Sequence, residues 1–196
     1  MTNGGFHQPF QVIERPVEPP HVADRGVTTV RLSFFQRLQP ECRSRLLAAA
    51  DARFVDGDAL YQAGRRGGAI YLWGYCAEIS LKVAFFRHAG FALSQPITPK
   101  LMWQDLTLLA SRSMGAFVKP DNLHDVVAWS QALICLRQVL GRPMSVRLAS
   151  QLSASCRRIT DGWSETIRYH GNRAWPNEAT AFRKDVLWIK RRTRIL

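Results

Sequence analysis

Acidic residues, clustered cysteines and long unbroken apolar runs are all scarce in this chain, and each scarcity excludes something. Only 15 Asp and Glu stand against 27 Lys and Arg, a formal charge of +12 over 196 residues. Such an excess draws phosphates or anionic lipid headgroups, and charge alone does not choose between them. The four cysteines, Cys42, Cys76, Cys135 and Cys156, lie far apart with no CxxC pair. Zinc needs ligands grouped at short spacing, and a disulfide framework needs an export route. The first residues, "MTNGGFHQPFQVIERPVEPP", have no apolar core and carry four prolines. The thiols therefore read as buried and reduced, and the protein as cytoplasmic, with no metal and no cofactor. No apolar run reaches the roughly 18 residues of a spanning helix, because Glu78 and Lys82 interrupt the longest one, so no membrane role is expected. There is also no internal repeat, no Gly-rich phosphate loop and no strand-rich block.

What is present is helical periodicity. With 46% hydrophobic and 10% aromatic residues the chain can bury one sizeable core. Residues 1–38 mix Gly, Pro and scattered charge without a period and read as an extended or disordered N-terminal arm. Residues 39–196 read as one helical bundle. "PECRSRLLAAADARF" opens a helix with Pro40 in its first turn, and "DGDALYQAGRR" forms a second piece after a break near Asp56 and Gly57. "LMWQDLTLLASRS" gives a short helix ending around Gly115. "PDNLHDVVAWSQALICLRQVLGR" follows with Asp121 or Asn122 as N-cap and Gly141 as the stop. "SVRLASQLSASCRRITDGWSETIRY" keeps its apolar period through Gly162 and reads as one long helix, and "PNEATAFRKDVLWIKRRTRIL" closes the chain. Four or five substantial helices with short connections make an all-α, up-and-down bundle the simplest fold.

The segment "RRGGAIYLWGYCAEISLKVAFF", Arg65 to Phe86, carries the most information. Ile70, Trp73, Gly74, Ala77, Leu81, Ala84 and Phe85 recur at three-and-four spacing and form a core face. Tyr71, Tyr75, Glu78 and Lys82 form a neighbouring stripe in which Glu78 precedes Lys82 by four residues, the favourable order for an ion pair along a helix. Two aromatic rings beside a lysine could stack on bases and meet phosphate. A buried pair that fixes helix register is the competing structural account. Trp73, Trp129, Trp163 and Trp188 sit at apolar positions and belong to the core or a dimer interface. Lys190, Arg191, Arg192 and Arg194 read as a solvated basic end, and His124 as a local polar contact beside Asp125, with a site role for it kept as the lesser alternative.

The stretch from Ala50 to Phe86 resembles the first helices of HEPN domains, the higher-eukaryote and prokaryote nucleotide-binding family, which often show a pattern like "AGxxxxAxYLxGYxxExxLKA". Gly64, Ala69, Tyr71, Leu72, Gly74, Tyr75, Glu78, Leu81 and Lys82 match it in place. "NLHDVVAW" and "WSETIRY" are similar to later parts of the family and extend the likeness over about Ala50 to Lys190. The resemblance implies a helical bundle, commonly a homodimer, that acts as a metal-independent ribonuclease in toxin–antitoxin or defence systems. The other role it implies is a non-catalytic RNA- or nucleotide-binding partner of a nucleotidyltransferase-like protein. Family ribonucleases place an Arg four to six residues before a His near the last helices. Of the five histidines only His21, after Arg15, fits, and it does so in "RPVEPPH", whose prolines forbid a helix. The expected function is therefore an accessory module that binds RNA or a nucleotide through Tyr71, Tyr75, Glu78 and Lys82, completed by Arg168 and Tyr169. The enzyme alternative is a divergent metal-independent ribonuclease using His170 with Arg168 or Arg173, and a purely structural assembly protein is the third.

Overall fold

A computed structural model of the chain describes residues 41–169 and 171–196, with the side chains of Arg168 and Tyr169 outside the description. The expected arm, 1–38, and His170 lie outside the described residues. The rest forms an all-α bundle: α1 (Arg43–Gln62), α2 (Arg66–His88), α3 (Pro99–Arg112), α4 (Val126–Val139), α5 (Val146–Gly162), a 3-10 helix (Glu165–Tyr169) and α6 (Pro176–Arg192). The described residues contain no strand, only an isolated bridge between Cys42 and Pro96. That bridge clips the α2–α3 connection onto the start of α1, helped by a bond from the Ile97 amide to the Glu41 carbonyl at 2.7 Å.

Helix α2 is the axis of the bundle and packs against α1, α4 and α6. Trp73, Ala77, Leu81 and Ala84 on its core face are wholly removed from solvent. By length and composition this helix could cross a membrane, yet 78% of its most apolar window is buried inside the bundle. Its apolarity is thus used up by neighbouring helices. Trp129 and Trp163 are also buried, and Trp188 packs half-buried against the same core. All four cysteines are buried and unpaired, and burial pushes the thiols of Cys76 and Cys156 up to about 12.

Three boundaries differ from the periodicity, each for a packing reason. α1 runs unbroken through Asp56 and Gly57. Gly57 is the point where the Trp73 ring presses on the helix: a Cβ there would lie 2.5 Å from the indole, whose Nε1 donates to the Phe54 carbonyl and to Asp58. The glycine serves close approach and leaves the helix intact. α4 starts later than Asp121 or Asn122 would place it, because Asp125 is the N-cap and accepts from the Ala128 amide at 2.9 Å. α5 stops at Gly162, where Trp163 turns to an extended backbone (φ −143°, ψ 134°). Its indole drops into a notch at Gly74, where a Cβ would meet it at 2.2 Å, and its Nε1 donates to the Tyr71 carbonyl at 3.0 Å. Burying a tryptophan there outweighs a continued helix. Gly141, with φ +68°, stops the chain after α4 as the sequence indicates.

The basic end is partly tied down. Lys190 pairs with Asp51 of α1 at 2.5 Å, and the Arg192 guanidinium lies 4.5 Å from the centre of the Trp188 ring.

Candidate functional site

Charge that is buried on α2 organises the site. Lys82 Nζ donates to Glu78 Oε1 at 2.6 Å, with the two side chains only 9% and 3% exposed. Removing two charges from water costs several kcal/mol each, so such a pair persists only where both are well bonded. Lys82 gains a second partner in the Trp129 ring, 5.4 Å from Nζ to its centroid. Glu78 gains one in His124, whose Nδ1 lies 3.1 Å from Oε2. One carboxylate therefore holds a lysine and a histidine at once.

The segment before α4 aims His124 at α2. Its backbone N–H donates to Asn122 Oδ1 at 2.8 Å, and the next residue, Asp125, is spent on capping the helix. The bond to Glu78, together with the negative charge of Glu78 and of Glu165, raises the pKa of His124 above its ordinary 6.5, while partial burial and Lys82 oppose the rise. The imidazole remains 46% exposed, so of the three groups it is the one that reaches solvent.

Aromatic rings brace this network. Tyr75 meets Tyr71 at 5.0 Å, Trp163 at 5.3 Å and His124 at 6.0 Å between centroids, all edge to face. Beside them opens a cleft of about 360 Å³ with Tyr75, Glu78 and Lys82 on one wall and His124, bonded to Glu78, also in its lining. Arg45, Ala49 and Arg53 of α1 line the opposite wall. Their spacing of four places them on one helical face, with the two arginines about 12 Å apart along the axis. Ala49, being small, leaves the space between them open.

Of the residues singled out from sequence, Tyr75, Glu78 and Lys82 converge in this cleft. Tyr71 sits one turn earlier and contributes through its ring contact with Tyr75. The side chains of Arg168 and Tyr169, and all of His170, lie outside the described residues, although the 3-10 helix bearing the first two packs on α2. Arg173 lines a different cleft, of about 470 Å³, with Arg158, Asp161, Glu178 and Asp185. Arg158 is already held there by both oxygens of Asp185, at 2.6 and 2.8 Å.

His124 is the main correction. It does more than touch its neighbour, since it bonds to a carboxylate 46 residues away. Likewise, Glu78 and Lys82 lie within one helix, so the tie between α2 and the entrance to α4 is the Glu78–His124 bond. Arg45 and Arg53 were missed as well. Their spacing about Ala49 was visible in the sequence, but nothing in it shows which neighbour that helical face meets.

Among the described residues no group of three or more His, Cys, Asp or Glu side chains could hold a metal ion. No family model matches the chain, and no curated protein or solved structure matches it.

Proposed function

We propose that the protein is a HEPN-like accessory module that binds RNA or a nucleotide in the cleft between α1 and α2. One observation carries this reading. Buried Glu78 fixes Lys82 and His124 beside a cleft whose far wall presents Arg45 and Arg53, with the Tyr75 ring on the same wall as Glu78 and Lys82. Guanidinium groups suit phosphate, a tyrosine ring suits a base, and the +12 charge of the chain favours encounter with polyanions. A homodimer and a nucleotidyltransferase-like partner belong to the same reading on the strength of the Gly64–Lys82 resemblance alone.

Anisotropy titration of a labelled single-stranded RNA tests the cleft. Affinity is expected to fall as salt rises, and Arg53→Gln should weaken binding and flatten log K against log salt by about 0.7, one phosphate contact on a single strand. No binding of RNA or nucleotide at low salt would leave the structural-assembly reading in its place.

A second reading, the divergent metal-independent ribonuclease, gains from one feature. The imidazole of His124 is oriented by a carboxylate through Nδ1, and no described residue bonds its Nε2. An imidazole so held is a proton acceptor for a ribose 2′-hydroxyl, with cleft cations opposite the developing phosphorane charge. Cleavage of RNA in EDTA that disappears in His124→Ala would decide for it.

A further inference from the structure

We infer that the cleft between α1 and α2 takes up a phosphate diester together with a proton, and that the proton is held by His124. This rests on the binding reading above and names the group that sets its conditions. The buried pair formed by Glu78 and Lys82 is electrically balanced. With a neutral imidazole the trio of Glu78, Lys82 and His124 carries no net charge; with an imidazolium it carries one positive charge. The geometry decides where that charge appears, because Glu78 and Lys82 are almost fully covered and His124 is the half-exposed member at the cleft.

The surroundings do not undo this. From α2 the imidazole faces Glu78, Lys82 and the Tyr75 ring; from the 3-10 helix, Glu165; from its own segment, the capping carboxylate of Asp125. Glu41, Arg45 and Arg53 share the cleft from the side of α1. Glu78 is the nearest and stabilises the imidazolium directly, consistent with the upward shift of the histidine, and Lys82 is partly neutralised by the same carboxylate. An anion in the cleft adds a second negative group beside the ring. Linkage then requires reciprocity: the factor by which the ligand tightens proton binding is the factor by which the proton tightens the ligand.

The probe must not titrate itself. A phosphate monoester loses its second proton near pH 6, so the test uses the dinucleotide UpU and an octauridylate without terminal phosphates, whose charge is constant from pH 5.5 to 7.5, well below the ionisation of the uracil N3–H. Between the pKa of His124 in the free protein and its higher value in the complex, affinity should fall by up to about tenfold per pH unit. His124→Gln should bind with a flat pH profile at the weaker, high-pH level. In NMR titrations the imidazole signal missing from His124→Gln should move to a higher pKa when UpU saturates the protein.

The arms separate the ligand sources. Equal linkage with UpU and the octamer assigns the effect to a single diester in the cleft, and linkage with the octamer alone assigns it to a strand that needs more of the surface. Binding with the same pH slope in wild type and His124→Gln, or a His124 pKa unmoved by saturating ligand, overturns the inference and leaves the binding reading standing. Failure of both probes to bind at any pH brings down both.

Discussion

Glu78 spends both carboxylate oxygens inside the bundle, one on Lys82 and one on His124, so removing any of the three has a distinct cost. Lys82→Met leaves a nearly buried carboxylate with the histidine as its remaining partner, and should lower the unfolding free energy by about 3–5 kcal/mol in urea titration. The double variant Glu78→Leu with Lys82→Met removes the buried charge altogether and should recover most of that loss, since apolar replacements of buried pairs are often neutral. His124 adds a pH dependence of known sign. Its folded pKa lies above the unfolded value of 6.5, so its contribution is complete below that value and disappears as pH rises through the folded pKa. Midpoints of urea unfolding taken from pH 5.5 to 8.5 should therefore drop in wild type more than in His124→Gln.

Between helices, two glycines do what no Leu pattern can announce. Gly57 and Gly74 each admit a tryptophan ring, Trp73 and Trp163, at distances no Cβ tolerates. Gly74→Ala gains about 1 kcal/mol of helix propensity and loses more through overpacking, typically 1–3 kcal/mol, with an altered tryptophan emission spectrum to report the displaced indole. The α1–α6 contact gives a second comparison. Asp58 accepts from Arg183 through both oxygens and also from Trp73 Nε1, whereas Asp51 is 67% exposed opposite Lys190. Asp58→Ala should cost about 1–3 kcal/mol by thermal unfolding and Asp51→Ala at most about 1. These contacts also explain what could be read in advance. The α2 helix and its stripe followed from the spacing of Tyr71, Tyr75, Glu78 and Lys82 alone, because an isolated helix already fixes which residues share a face. The end of α5 did not follow, because the force that turns Trp163 out of the helical path is a notch on another helix. The partner of His124 escaped for the same reason: it is Glu78, which only the fold brings near.

At the scale of the whole molecule, the balance of charge shapes the surface more than the core. Asp51, Asp58 and Asp185 are each matched to a cation on a facing helix, so part of the limited acid supply is spent between helices. Under the proposed function the surplus of Lys and Arg would make RNA binding sensitive to salt, while the cleft supplies the local geometry. Replacing exposed Arg147, remote from the cleft lining, by Gln should change RNA affinity far less than Arg53→Gln in the same anisotropy titration.

The plug formed by Trp163 in the side of α2 has a consequence for the order of events during synthesis. Tyr75 leaves the ribosome long before the indole that steadies it, and the two meet only once α5 has emerged and turned. A nascent chain halted before that residue has α1, α2 and even His124, yet lacks the wedge that sets the tyrosine ring. The arrangement of the proposed site thus arrives late, as a by-product of closing the bundle.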